Sequence, residues 1–232
     1  MRAIFPDHME EELKAAFLAA TPNGYFVDVG ANAPRAASQT WALEQAGWTG
    51  VLVEPQPDLA DALRRERSGK VYAVACSKPA NAGKTLTLYL AGFQSSVVPD
   101  FYVAGVRRQG EIAVPVMTLD QVLEDAGAPR PLDFVSIDVE GHVLEVMEGF
   151  TVSRWQPRLL LIEDTVHDLS LHRYIIAQGY RWIRRTGINS WYVPEAAAER
   201  VGLFGKLQFL RKYYLGRPFR KLRDAKRRLL RQ

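Results

Sequence analysis

Short apolar runs alternate with stretches of helical period along most of the chain. Residues 25–29 (YFVDV) form a β-rich run that ends at Gly30-Ala31-Asn32. The positions through Trp41, Leu43 and Glu44 to Gly47 then predict a helix of about a dozen residues. The alternation repeats as a strand at 50–53, a helix at 57–67 and a strand at 71–75, and again as a strand at 134–137, a helix at 143–148 and a strand at 158–162. A helix at 169–178 stops at Gly179, and strands at 180–183 and 190–193 join through Gly187 and Asn189. Strands alternating with helical lengths indicate βαβ units around a parallel sheet. The expected fold is a doubly wound, mostly parallel α/β sheet closed by an antiparallel hairpin. Residues 85–90 alternate as a half-exposed strand does and are set to pair with 111–116, whereas residues 93–110 show no period and suit a binding loop.

Composition narrows the class without changing this architecture. The 232 residues are 47% hydrophobic and 24% charged, the balance of one globular domain. No apolar run approaches the roughly 18–20 residues that span a bilayer, and the opening MRAIFPDHMEEE lacks a secretory signal's apolar core, so a cytoplasmic location is expected. The single cysteine, Cys76, reads as a small buried hydrophobe. Charge is divided along the chain. Residues 201–232 carry eleven Lys or Arg against one acid, Asp224, while the other 200 residues are mildly acidic. This separates a main domain, 1–200, from a basic amphipathic tail, 201–232, and makes the body a poor nucleic-acid surface.

The chemistry lies in acids at strand ends. Asp28, Glu54, Asp138 and the pair Glu163-Asp164 each end an apolar run or follow it directly. Ligands of open α/β sheets bind outside the carboxyl ends of the strands, so these acids are expected to face one crevice. The run D-V-G-A-N-A-P lacks the later glycines that let a backbone close on a pyrophosphate, which argues against a nicotinamide cofactor. A cofactor without phosphates needs one tight turn and an acid on the next strand for its ribose hydroxyls. Glu54 stands 26 residues after Asp28, where that acid belongs. Those demands describe S-adenosylmethionine. Asp138-Val139-Glu140, with Glu163 and Asp164, supplies hard oxygen donors of the kind that suit Mg2+, although packed carboxylates also share protons or pair with Arg154 or Arg158.

The blocks DVGAN at 28–32, SQTWALEQAGWTGVLVEP at 38–55, VPVMTLDQVL at 114–123 and DFVSIDVEGHVLEVMEG at 133–149 resemble the FkbM-type methyltransferases, over about residues 22–194. That resemblance implies a class I, Rossmann-like methyltransferase fold with a seven-stranded sheet. It also implies S-adenosylmethionine as cofactor: Asp28, Gly30 and Asn32 at its methionine end, Glu54 at the ribose, Ser77 near adenine, and Ser95 and Ser96 towards the substrate. The D-x-E and E-D pairs are similar to those of macrocin-type sugar O-methyltransferases, which implies Asp138, Glu163 and Asp164 as metal ligands and Glu140 as base. His142 and His167 compete with Glu140 for that role, because histidine titrates near working pH.

The expected activity is methyl transfer to a sugar hydroxyl of an oligosaccharide or polysaccharide, a glycolipid or a glycosylated natural product. An RNA ribose methyltransferase and a non-catalytic cofactor-cleft scaffold are the rivals. Trp41, Trp155, Trp182 and Trp191 are candidates for sugar stacking, with most of them expected in the core. In the tail, apolar residues from Leu203 onward make a helical stripe flanked by Lys and Arg. Over 203–231 that stripe suits packing on the body, a homodimer contact or an anionic membrane surface.

Overall fold

The computed structural model describes residues 7–99, 107–165, 169–216, 218–220 and 222. The central sheet contains β1 (Tyr25–Val29), β2 (Thr49–Val53), β3 (Lys70–Tyr72), and four later strands. A three-stranded sheet of β4 (Ala75–Cys76), β5 (Thr85–Leu90) and β6 (Gly110–Met117) stands beside it. The later central strands are β7 (Phe134–Ile137), β8 (Leu159–Glu163), β9 (Tyr180–Thr186) and β10 (Asn189–Pro194). Their order is β3-β2-β1-β7-β8-β10-β9, with β10 antiparallel to both neighbours and the rest parallel. This is the doubly wound class I methyltransferase arrangement with its closing hairpin. The winding reverses between β1 and β7, and that is where an open sheet parts to form a crevice.

The central strands are apolar at nearly every position because both faces are covered. Alternate residues feed two cores: Val27, Val51, Val135 and Leu160 point to one, and Phe26, Leu52, Phe134 and Leu161 to the other. The helices are α1 (Asp7–Leu18), α2 (Trp41–Gln45), α3 (Pro57–Glu66), α4 (Leu119–Ala126), α5 (Val143–Glu148), α6 (Val152–Trp155), α7 (Ser170–Ala177) and α8 (Leu203–Phe209). Helix α3 starts with Pro57 in its first turn and ends in Arg64 and Arg65, as the backbone dipole favours.

Three expectations change. The helix after β1 is only the five residues of α2, and residues 30–40 form an irregular loop instead. The run 71–75 is divided: β3 stays in the central sheet, and Ala75–Cys76 crosses to pair with Val116 and Met117 of β6. Helices α1, α4 and α6 add to the elements that the apolar pattern predicts. The start of α4 is nevertheless written in the chain, since Thr118 and Gln121 form a reciprocal capping box and Gly127 closes the helix in the left-handed conformation. The antiparallel pairing of β5 with β6 agrees with expectation.

The first part of the basic segment is docked rather than free. Helix α8 continues in wider turns through Leu215 and lies on the hairpin. The buried Gln208 side chain accepts from the backbone N–H of Arg185 at 3.0 Å and donates to its carbonyl at 2.7 Å, so it occupies backbone groups of β9.

Candidate functional site

The crevice is built where β1, β2 and β7 end. Gly30 turns the chain at φ +85°, and a Cβ there would lie 1.8 Å from the carbonyl oxygen of Asp138. Only glycine satisfies both the angle and the approach. The N–H groups of Gly30 and Ala31 both donate to the carbonyl of Val53, at 2.9 and 3.0 Å. Asn32 follows with a left-handed backbone, and its N–H donates to Glu54 at 2.9 Å. The other Glu54 oxygen accepts from the N–H of Gln56 at 2.9 Å. Glu54 is buried, and that burial raises its pKa against these two hydrogen bonds. The Gln56 side chain also reaches this carboxylate, which still has lone-pair capacity for a ligand hydroxyl.

Asp28 sits under this turn. Its carboxylate accepts from the Thr40 hydroxyl at 2.7 Å, and burial raises its pKa even with Arg67 nearby. Together these groups bound a cavity of about 260 Å³. Asp28, Gly30, Asn32 and Glu54, from the ends of β1 and β2, line it together with Asp138, Glu140 and His142 from beyond β7, and Phe93, Ser95 and Ser96 belong to its wall as well. Of the strand-end acids, Asp28, Glu54 and Asp138 line this cavity, and Glu163 is hydrogen-bonded to Asp138 without lining it. Ser95 shapes its own turn by donating to the Gly92 carbonyl at 2.8 Å and accepting from the Ala91 N–H. Ser96 donates to the Glu140 carbonyl at 2.6 Å and so ties the 93–98 loop to the acidic strand end.

The half-buried Asp138 and Glu140 and the buried Glu163 form an acidic group. Glu163 donates a hydrogen bond to Asp138, and burial together with like charge pushes both pKa values up. One proton is therefore held between them, the proton-sharing alternative open to packed carboxylates. Glu140, on a left-handed backbone at φ +49°, is pushed up to about 7 by burial and by the neighbouring Asp138. The arginines do not enter: Arg154 pairs with Glu124, and Arg158 with Asp133 at 3.4 Å.

Several expected assignments move. Asp164 does not join this group, because Glu163 and Asp164 are adjacent and project differently. Its carboxylate accepts from the Tyr213 hydroxyl at 2.7 Å and lies 3.9 Å from the Arg185 guanidinium. Among the described residues no group of three or more His, Cys, Asp or Glu side chains is arranged to hold a metal ion. With Asp164 diverted to Tyr213 and Arg185, the described acids do not make the hard oxygen cage expected for Mg2+. Ser77 is fully buried and lies behind the wall, meeting His142 Nε2 at 3.0 Å and accepting from Asn81 at 2.9 Å. Cys76, the residue before it, lines the cavity instead. His142 lies between Ser77 and Glu145, and burial lowers its pKa so that the ring is neutral near pH 7. His167 lies outside the described residues. Trp155, Trp182 and Trp191 are core residues, and Trp41 is faced by the guanidinium groups of Arg35 and Arg67.

Sequence reasoning missed what holds the 30–40 loop. Arg67, with no exposed side-chain surface, donates to Glu44 at 2.8 Å, to the Pro34 carbonyl at 3.1 Å, to Ser38 at 3.2 Å and to Thr40 at 3.0 Å. From the other side the buried Lys14 donates to the Gln39 side chain at 3.0 Å, and Gln39 donates to Glu10 at 3.0 Å. A lone arginine at a helix end carries no sequence signal for such a role.

The family described as Methyltransferase FkbM domain matches residues 28–182. The hexuronic acid methyltransferase AglP of Haloferax volcanii is 27% identical over 110 residues, a stretch that makes up 47% of this chain and 44% of that protein. The crystal structure of methyltransferase FkbM from Methylobacillus flagellatus KT superposes with a TM-score of 0.48 at 17% identity, covering 74% of this chain and 44% of that one. The matched regions thus span less than half the length of either relative.

Proposed function

The chain belongs to the FkbM methyltransferase family, and from that premise we propose that it transfers a methyl group from S-adenosylmethionine to a hydroxyl of a sugar-containing acceptor. The observation that carries this reading is that Glu54, the Gly30 turn and Glu140 line the same cavity. The likeness to a hexuronic acid methyltransferase supports a sugar acceptor.

The residues fit the cofactor. Glu54 is fixed by two backbone N–H groups and has lone-pair capacity for the ribose hydroxyls, while the Gly30 turn lets the end of β1 lie against the Asp138 carbonyl and so brings the two strand ends to one cavity. Asp28, oriented by Thr40, places negative charge where a cationic amino acid end would sit. Bound there, S-adenosylmethionine supplies an electrophilic methyl on a sulfonium. The rest of the work is positioning and one proton. Holding the two partners in line can supply roughly 7–11 kcal/mol. Glu140, with its pKa raised to about 7, is matched to take the acceptor's proton near neutral pH. Asp138 keeps it there by charge, and the Asp138–Glu163 hydrogen bond holds Asp138 in turn. No step is routed through Mg2+, because the described acids do not fit it.

The test has two arms. Calorimetry with S-adenosylhomocysteine is expected to show micromolar binding that Glu54→Ala weakens at least tenfold, and full affinity in that variant removes the ribose assignment. A mass-spectrometric screen for methylated products across uronic-acid and neutral oligosaccharides is expected to find turnover. Methylation of RNA in place of every sugar would transfer the assignment to the ribose methyltransferase alternative.

A further inference from the structure

Helix α8 is apolar on the side that faces away from the protein. Its docked side presents Gly205 and Gln208, followed by Tyr213, and the buried contacts are polar as well as aromatic: Gln208 pairs with the β9 backbone, and the Tyr213 hydroxyl donates to Asp164. The outer side carries Leu203 at 76% exposed, Phe204 at 51%, Leu207 at 58%, Leu215 at 59% and Phe219 at 76%. A helix that is already packed ordinarily turns polar residues to solvent, so this outer stripe needs another explanation. The same 32 residues, 201–232, hold eleven Lys or Arg and one acid. Beside α8 a groove is lined by Arg173, Ile176, Trp182 and Lys206, in which the Trp182 indole N–H is buried with no acceptor among the described residues.

We propose that the outward face of α8 and its continuation docks on an anionic phospholipid bilayer, with the leucines and Phe219 at the acyl boundary and the lysines and arginines among the headgroups. Charge selects this occupant. A second copy of the chain would bring the same strongly positive segment against itself, which repulsion opposes. Nucleic acid would meet the cations but gives aliphatic leucines nothing to bury against. A bilayer with acidic headgroups satisfies both the apolar stripe and its flanks. Among the described residues no helix is long and apolar enough to cross the membrane, so the contact lies at the surface. This inference is independent of the acceptor identity.

Vesicle co-sedimentation of the full chain tests it. Wild type is expected to sediment with phosphatidylcholine vesicles carrying about a third phosphatidylglycerol, and not with phosphatidylcholine alone, with binding weakened by added salt. Leu207→Glu/Leu215→Glu and, separately, Lys206→Glu/Arg211→Glu are each expected to lower the bound fraction at least about tenfold at an unchanged thermal transition. The proposal is overturned by failure to bind the acidic vesicles at low salt, by equal binding to neutral vesicles, or by either variant binding as wild type does. It is also overturned if the apolar variant instead abolishes a concentration-dependent dimer in sedimentation equilibrium, or if RNA is retained where vesicles are not.

Discussion

Glu140 shows how one side chain acquires its chemistry from its surroundings. A free glutamate is ionised at pH 7 and too weak a base to help an alcohol, whereas burial beside Asp138 raises Glu140 to about 7. The raised value sets the sign of the pH dependence: the ionised, proton-accepting form grows as pH rises through about 7, so kcat/KM should climb over that interval and then level. Glu140→Gln should lose about 10² to 10⁴ in turnover with S-adenosylhomocysteine affinity intact, measured by initial rates and calorimetry. Unimpaired turnover would leave the proton to another group. Gly30 is the opposite case, where identity is dictated by space alone. With φ at +85° and the Asp138 carbonyl oxygen 1.8 Å from the point a Cβ would occupy, Gly30→Ala must part β1 from β7. A loss of about 2 kcal/mol or more in urea unfolding is expected, together with loss of cofactor affinity. Cys76, although it lines the cavity, has its thiol pushed up to about 12 by burial, so it should resist maleimide at neutral pH.

At the scale of elements, the irregular loop 30–40 is the most informative. Its shape is imposed by charged side chains reaching in from α1 and the end of α3 rather than by local preference. Arg67 and Glu44 are both nearly inaccessible, so Arg67→Ala leaves a buried carboxylate without its partner. A destabilisation of about 3 kcal/mol or more is expected by chemical denaturation, with weakened cofactor binding through Thr40 and Asp28. Arg67→Lys should not restore it, since a single ammonium cannot reach Glu44, Pro34, Ser38 and Thr40 as the forked guanidinium does. The same loop marks the limit of reading the chain directly. The strands β1, β2, β7 and β8 were legible because full burial writes continuous apolar runs. Glu54 and Asp138 were legible because acids stand out at the ends of such runs. The loop's path was not, because it depends on long-range partners at residues 10, 14 and 67. Ser77 and Asp164 were misplaced for a related reason: next to a strand end, one residue of register decides which face a side chain joins. The division of residues 71–75 between two sheets has the same origin, since nothing local says which neighbour each residue will meet.

For the whole molecule, the buried acids set a balance between stability and function that pH exposes. Glu163 has a folded-state pKa well above its ordinary value, because burial and Asp138 oppose its ionisation. A carboxyl shifted upward binds a proton in the folded state that the unfolded chain has already released, so stability falls as pH rises between the two values. Glu140 contributes the same sign only up to about 7. His142 and His172 act oppositely, but only below their ordinary value of 6.5, where the unfolded chain takes up protons that the buried rings refuse. Between pH 7 and 8.5, therefore, these two histidines are silent in both states and Glu163 sets most of the slope, joined towards pH 8.5 by the buried Cys76 thiol with the same sign. The ligand-free protein should lose thermal stability across that interval in scanning calorimetry. Glu163→Gln, which supplies the neutral hydrogen-bond donor at every pH, should flatten most of that loss and raise the transition at pH 8.5. An unchanged slope in the variant would mean that Glu163 ionises freely, and with it would go the shared proton that holds Asp138 beside Glu140.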